Sequence, residues 1–476
     1  MNGIPLSVGA LLFVGAYLGS MIALGLTARR ARKSDNLSDF YLAGRSLGPL
    51  VLLLTLYATQ YSGNTIVGYP GESYRLGYAW MMSVSFMMSI VVVYLLFAPR
   101  LQRLARQNGF VTPGDFLDYR FRSPALSVVI NIILVVSIGN YLLAQLMAMG
   151  HVVAGVSDNN LPYWLGIVVL VVVIIAYETL GGLRAVAWTD CVQGLMLLVG
   201  LVALLHAFAP TPSDWHAVTE WLNRNAPEKT AVPGREMQLR WLSTVVLIGF
   251  SAAVYPQAIQ RIYAARSTRV LKRSLQVLVF MPLVTTTVVV LVGLVGIRRY
   301  SGLAGIEADQ VLPLLLHEWS QESAYGYAMA VLVVTGTLAA IMSTADSVLL
   351  SLSSILSKDL LGKTVLRGAS EERLTAIGKR VSWLVMALLA LIAVTPRITL
   401  WGLIELKAEI LVQASPAFVL GSLWPGLEAR GVLCGAILGA LVAGLGTLFG
   451  HSLGVVAWLA NLTVAVGLSL ALAGEG

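Results

Sequence analysis

Charge is scarce in this chain. Only 12% of its 476 residues are Asp, Glu, Lys or Arg, about half the share of an ordinary soluble protein, which excludes a soluble domain with a solvated surface. Cysteine is nearly absent. Cys191 and Cys434 lie in apolar runs at unrelated positions, so no disulfide or cysteine metal site is expected and both read as small buried hydrophobes. The first apolar run, PLSVGALLFVGAYLGSMIALGLTA (5–28), lacks a basic leader and a small-residue cleavage site, so a retained helix is expected and not a signal peptide. The net charge of +8 does not imply a nucleic-acid partner, because in a membrane protein basic residues record topology.

What is abundant is hydrophobic. Residues of that class make up 57% of the chain, in recurring runs of about 20, each long enough to cross a bilayer core of ~30 Å. An all-α polytopic membrane protein is expected, with 13 spans at 5–28, 47–70, 78–98, 124–155, 161–181, 184–208, 241–262, 273–297, 325–356, 378–396, 398–424, 430–450 and 454–473. With the N-terminus outside, the loops at 29–46, 99–123, 182–184, 261–273, 357–380 and 425–430 hold 23 of the 32 lysines and arginines. That bias places the N-terminus outside and the C-terminus in the cytoplasm. A piece of the 298–324 loop, ADQVLPLLLHEW, has the amphipathic pattern of a short helix lying on the membrane face.

Polar groups at membrane depth are costly and mark candidate sites. The stretch 58-ATQYSGNTIVGYPG-71 follows an apolar run yet is built to unwind. In hydrocarbon, freed backbone groups must be satisfied by protein, water or a ligand. Ala58, Gln60, Ser62, Gly63, Asn64 and Thr65 suit a cavity lining, the alternative being a Gly/Pro kink packed against other helices. Five spans later, 249-GFSAAVYPQAIQR-261 interrupts a second apolar run. Two broken helices at matching places point to a secondary transporter built on inverted repeats. The repeats would cover 47–208 and 241–424, with 5–28 and 430–473 peripheral.

In 338-LAAIMSTADSVLLSLSS-354, ~100° per residue brings Ala340, Ser343, Thr344 and Ser347 to one helical face, with Asp346 on its edge. Such oxygens suit a hard monovalent cation, unless the hydroxyls simply bond their own i−4 carbonyls. In 181-GGLRAVAWTDCVQG-194, Asp190 is either a structural cap or a cation-relay carboxylate. The run 405-ELKAE-409 places Lys407 within a span, where a carboxylate on another helix or a water-filled vestibule is expected to receive it. Gly431, Gly435 and Gly439 share a helical face suited to close packing.

Together these stretches resemble the sodium:solute symporter family, which includes proline, pantothenate, sialic acid and sodium–glucose symporters. GGLRAVAWTDCVQ (181–193) and AAIMSTADS (339–347) carry the resemblance, DFYLAGRSLG (39–48) and SPAFVLGSLWPGLEARG (415–431) support it, and it runs from about residue 5 to 473. It implies a LeuT-type fold whose repeats each begin with an unwound helix. It also implies Na⁺-driven import of a small organic solute across the inner membrane of a bacterium, by a monomer that is not an enzyme. The implied sodium ligands are the carbonyls of Ala58 and Tyr61 with Ala340, Ser343 and Thr344. A second cation or a proton would sit at Asp190, Asp346 and Ser347. The implied solute contacts are Gln60, Ser62, Gly63, Asn64, Thr65, Tyr141, Gln145, Phe250, Ala253, Pro256 and Gln257. Gln60 stands where proline symporters carry an acid, and the fourth span lacks an obvious Arg, which favours a neutral or zwitterionic solute. Proton coupling through Asp190 or Asp346 is the main alternative, followed by a transporter-like sensor and a channel.

Overall fold

The computed structural model describes residues 8–31, 36–157, 160–208 and 211–473. Residues 5–7 of the first expected span, and Arg32 and Lys33, lie outside them. Among the described residues the chain is helical, and the one β pairing is an isolated bridge between Leu47 and Ala265. The helices that build the centre are α1 (Pro49–Gln60), α2 (Pro124–Val156), α3 (Tyr163–Phe208), α4 (Arg235–Ala252), α5 (Pro256–Ala264), α6 (Ala324–Ser354) and α7 (Leu400–Leu411). Two peripheral ones, α8 (Ala429–Leu448) and α9 (Gly454–Ala473), follow.

Sequence chemistry explains where these helices start. Ser123 caps α2 by accepting from the Leu126 N–H, and Pro124 sits at the first helical position, where its missing N–H costs nothing. Ser323 and Thr399 cap α6 and α7 in the same way. Glycines bring α8 and α9 together: a Cβ at Gly435 would lie 2.5 Å from the Asn461 carbonyl oxygen. The outward faces carry exposed Val202, Leu388, Leu391 and Leu448, an apolar surface suited to lipid. Cys191 and Cys434 are both free, but Cys191 is half-buried and Cys434 exposed. The expectation that both are buried is therefore corrected, since the outer face of a membrane helix needs no protein cover to be apolar.

Nine described helices are long and apolar enough to cross a membrane, or ten if the bent pair α4–α5 forms one span. Thirteen spans were expected, and the gap arises where helices are interrupted. The 47–70 span is shortened to α1, with 12 residues. The 161–181 span retains only Tyr163–Ala176 as an apolar helix. The 241–262 span bends by 52° between α4 and α5. The 398–424 span is divided between α7 and Ser415–Leu423 by a 3₁₀ turn. The short helix expected near 308–319 is present as Val311–Glu322, with Val311, Leu312, Leu315, Leu316 and Trp319 buried against the protein.

α3 contains two expected spans folded about a single residue. Gly182 adopts φ 56°, ψ −152°, a conformation open essentially to glycine alone. A Cβ there would also fall 2.4 Å from the Phe40 carbonyl oxygen. Gly182→Ala is expected to destabilise the protein by at least about 1–3 kcal/mol, read as a lowered melting temperature of the detergent-purified protein. An unchanged melting temperature would show that the turn relaxes freely.

Candidate functional site

α1 stops in the middle of the bundle. Tyr61 turns to extended backbone (φ −101°, ψ 93°), and the chain resumes as a wide π-turn over Asn64–Gly68 before Tyr69–Leu76. Several groups at the break have partners from other helices. The Gly63 N–H donates to Gln145 Oε1 on α2 at 3.1 Å, Asn64 Nδ2 donates to the Leu400 carbonyl at 2.7 Å, and Ser343 Oγ on α6 donates to the Ala58 carbonyl at 3.0 Å. Glycine is required at 63 because a Cβ would lie 2.1 Å from Ile341 Cγ1 of α6. A second break lies at residues 253–255, between α4 and α5. The ends of the two broken segments are tied by the Leu47 N–H to the Ala264 carbonyl (3.2 Å) and the Arg266 N–H to the Leu47 carbonyl (3.0 Å).

The predicted hydroxyl face of α6 meets this break. Ser343 Oγ lies 3.1 Å from the Ala340 carbonyl as well as against Ala58, so three of the predicted sodium ligands converge. Thr344 Oγ1 is buried beside the Tyr141 hydroxyl. The Ser347 hydroxyl lies 2.6 Å from the Ser343 carbonyl and 3.1 Å from Asp346 Oδ1.

Arg261 corrects the sequence reading. Expected as a cytoplasmic loop charge, it is fully buried on α5. Its Nη2 donates to Asp190 Oδ2 at 2.8 Å and to Ser347 Oγ at 2.6 Å, its Nε to Thr55 Oγ1 at 2.7 Å, and its Nη1 to the Gln257 carbonyl at 3.1 Å. Thr55 Oγ1 also donates to Asp190 Oδ2, while Asp190 Oδ1 has no partner. The side chain turns inward because a buried carboxylate without a cation would cost several kcal/mol. A residue near the end of a span has a side chain long enough to make that turn.

Between the breaks lies a cavity of ≈ 40 Å³, room for about two or three waters. Among the predicted solute contacts, Gln60, Ser62, Asn64, Thr65 and Tyr141 line it. Gly63 and Gln145 do not; they bond each other behind it. Phe250 packs against Trp458 with ring centres 4.8 Å apart and, with Ala253, Pro256 and Gln257, is outside the lining. Both amide atoms of Gln257 are buried without a partner. Sequence reasoning missed Thr59, Tyr69, Met87, Tyr94 and Tyr255, all of which line the cavity. Beyond Tyr69, Trp80, Phe86 and Trp401 form an aromatic cluster with centroids 4.7–6.0 Å apart.

Lys407 also lines the cavity, so of the two surroundings expected for it the structure supplies a cavity and not a carboxylate. No carboxylate pairs with it among the described residues. Its Nζ lies 3.6 Å from the Tyr141 ring centre and 4.6 Å from that of Tyr255, and these two rings stack at 5.5 Å. Glu405 and Glu409, two residues away on the helix, point elsewhere; Glu409 Oε2 accepts from Thr447 at 3.4 Å.

Breaking a buried ion pair by removing one partner costs about 3–5 kcal/mol. Arg261→Gln and Asp190→Asn are each expected to lower stability by that order, and the double variant by clearly less than their sum. Thermal melts of the four proteins measure this. Additive losses would mean that the two side chains are energetically independent.

The sequence pattern of the sodium:solute symporter family matches residues 40–439. The chain is 28% identical over 448 residues to the osmoregulated proline transporter OpuE of Bacillus subtilis, covering 91% of this chain and 88% of that one. It is 27% identical over 440 residues to the sodium/pantothenate symporter of Escherichia coli, covering 90% and 88%. Its fold is similar to that of a Na⁺-coupled sialic acid symporter solved in a substrate-bound outward-open state, with a TM-score of 0.78, 98% of each chain covered and 17% identity. That likeness carries the LeuT-type architecture. The chain belongs to the sodium:solute symporter family, a family of membrane transporters and not of enzymes.

Proposed function

We propose that the protein imports a small organic solute together with Na⁺ by alternating access. The observation that carries this is the meeting of the α1 break with the hydroxyl face of α6, beside a cavity. Na⁺ is held by the carbonyls of Ala58, Tyr61 and Ala340 and the hydroxyls of Ser343 and Thr344. These are hard, neutral oxygens of the kind a monovalent cation prefers. Ser343 Oγ already lies close to the Ala58 and Ala340 carbonyls, so a cation between them is met by all three oxygens once the hydroxyl turns its proton away. Sodium then ties the break to α6, sets the shape of the cavity and raises solute affinity by linkage.

The solute sits against Gln60, Ser62, Asn64, Thr65 and Tyr141. Relatives named for proline and for pantothenate support a small solute. The 13-span topology follows, with the N-terminus outside, the C-terminus cytoplasmic, and inverted repeats at 47–208 and 241–424. The site expected for a second cation or proton, at Asp190, Asp346 and Ser347, adjoins the Arg261 guanidinium. That fixed charge supports one Na⁺ per cycle. The membrane potential favours entry of the cation by ~2.3 kcal/mol per charge per 100 mV.

Proton coupling has one observation of its own. Glu178 on α3 is buried, and neither carboxylate oxygen has a hydrogen-bond partner. Uptake into proteoliposomes separates the readings. A Na⁺ gradient is expected to drive solute accumulation, and Ser343→Ala/Thr344→Ala to weaken apparent Na⁺ affinity at least about tenfold, the worth of one lost charge-assisted contact. Uptake driven by a pH gradient in Na⁺-free buffer, and lost in Glu178→Gln, would replace sodium with the proton.

A further inference from the structure

Lys407 has no role in the sodium site or in the Arg261 network. It is 1% exposed and lines the cavity without a pairing carboxylate among the described residues. Its surroundings are the faces of Tyr141 and Tyr255. Ring faces attract a cation, but they recover only part of the several kcal/mol lost when an ammonium leaves water. The cavity wall therefore holds an amine that no carboxylate among the described residues faces.

Elsewhere on the same wall the shortage has the opposite sign. Gln60 Nε2 donates to the Met87 carbonyl at 3.2 Å, and Asn64 Nδ2 to the Leu400 carbonyl at 2.7 Å. Those bonds fix the orientation of both amides. They leave Gln60 Oε1 and Asn64 Oδ1 buried with no donor among the described residues. Buried polar groups in native proteins are almost always satisfied, and an ion-free carbonyl oxygen can be satisfied only by an N–H or O–H. The remaining lining is largely apolar, with Leu56, Ile90, Ile248 and Ile404 among it.

We propose that Lys407 is the anchor for a carboxylate on the transported solute, and that this solute is a compact acid which also carries an N–H or O–H donor. The proposal rests on the reading of the cavity as the solute site. Of the solutes that meet it, an α-amino acid agrees with the sequence-based preference for a neutral or zwitterionic solute, and an α-hydroxy acid departs from it. An α-amino or α-hydroxy acid meets the three demands together: a carboxylate for the ammonium, a donor for the two amide oxygens, and a small apolar body.

The test uses thermal-shift titration of the full-length protein in Na⁺ with L-proline, L-lactate and propionate, and with L-prolinamide and L-lactamide. At least one of the donor-bearing acids is expected to stabilise the protein, with its amide at least tenfold weaker and propionate weaker than L-lactate. Lys407→Met is expected to weaken the acid about 10- to 100-fold, the range for a hydrogen bond to a charged group, whereas Lys407→Arg retains most of it. The shift produced by Na⁺ alone shows that each variant is folded. Equal binding of acid and amide, unchanged acid binding in Lys407→Met, or no shift with any of the acids would overturn the proposal. Normal acid binding without Na⁺-driven uptake would overturn the transport reading while leaving the anchor standing. Undiminished Na⁺-driven acid uptake by Lys407→Met would do the reverse.

Discussion

Everything at the centre of this protein follows from one requirement: a backbone group in the membrane interior must find its partner inside the protein. α1 ends at Gln60, where the bilayer offers no water. The groups at the break look sideways, to Gln145 on α2, to Leu400 at the start of α7 and to Ser343 on α6. The break thus joins three helices that share no sequence neighbourhood. Gly63 makes the joint possible by letting the chain touch Ile341 without a Cβ between them. A cavity beside such a joint inherits its geometry, which is why the predicted cation ligands and the small cavity are neighbours.

Much of this was legible in the sequence, because helix breakers in an apolar run conflict openly with their solvent. The 58–71 and 249–261 interruptions, and the periodicity that put Ala340, Ser343, Thr344 and Ser347 on one face, reappear as a broken α1, a bent α4–α5 pair and a polar stripe on α6. Arg261 was not legible. A basic residue near the end of a span is the normal signature of a cytoplasmic boundary, and only the partner Asp190, brought in from α3, shows that it turns inward. Phe250 lies outside the cavity lining for a related reason. Its place near the second break says nothing about rotation, and its ring faces Trp458. Tyr94 and Tyr255 carry no polar pattern at all, and an aromatic in a span reads as core until its neighbours are known.

The two buried cations differ in a way that separates structure from recognition. Arg261 presents a planar fork of donors, and the protein answers with Asp190, Thr55, Ser347 and the Gln257 carbonyl. Such a group is a clamp, since moving it strands several partners at once. Lys407 offers a compact charge and meets two ring faces. A charge held that loosely is available to a ligand in a way that the guanidinium is not.

α7 carries this contrast into the transport cycle. Its first residue, Leu400, donates its N–H to Asp309 Oδ2 at 2.9 Å and gives its carbonyl to Asn64 at the break. Asp309 in turn pairs with Arg75 at 2.9 Å, just beyond the α1 break. Trp401 joins the aromatic cluster that packs behind Tyr69, and Lys407, farther along, reaches into the cavity. One helix therefore touches the aromatic cluster behind Tyr69 at one end and, through Lys407, the cavity at the other. In the proposed cycle, a carboxylate that draws Lys407 off the tyrosine rings pulls on the same element that holds Trp401 and the Asp309 contact in place. Solute charge and closure of the cavity are then read by a single piece of backbone, with no relay through side chains between them.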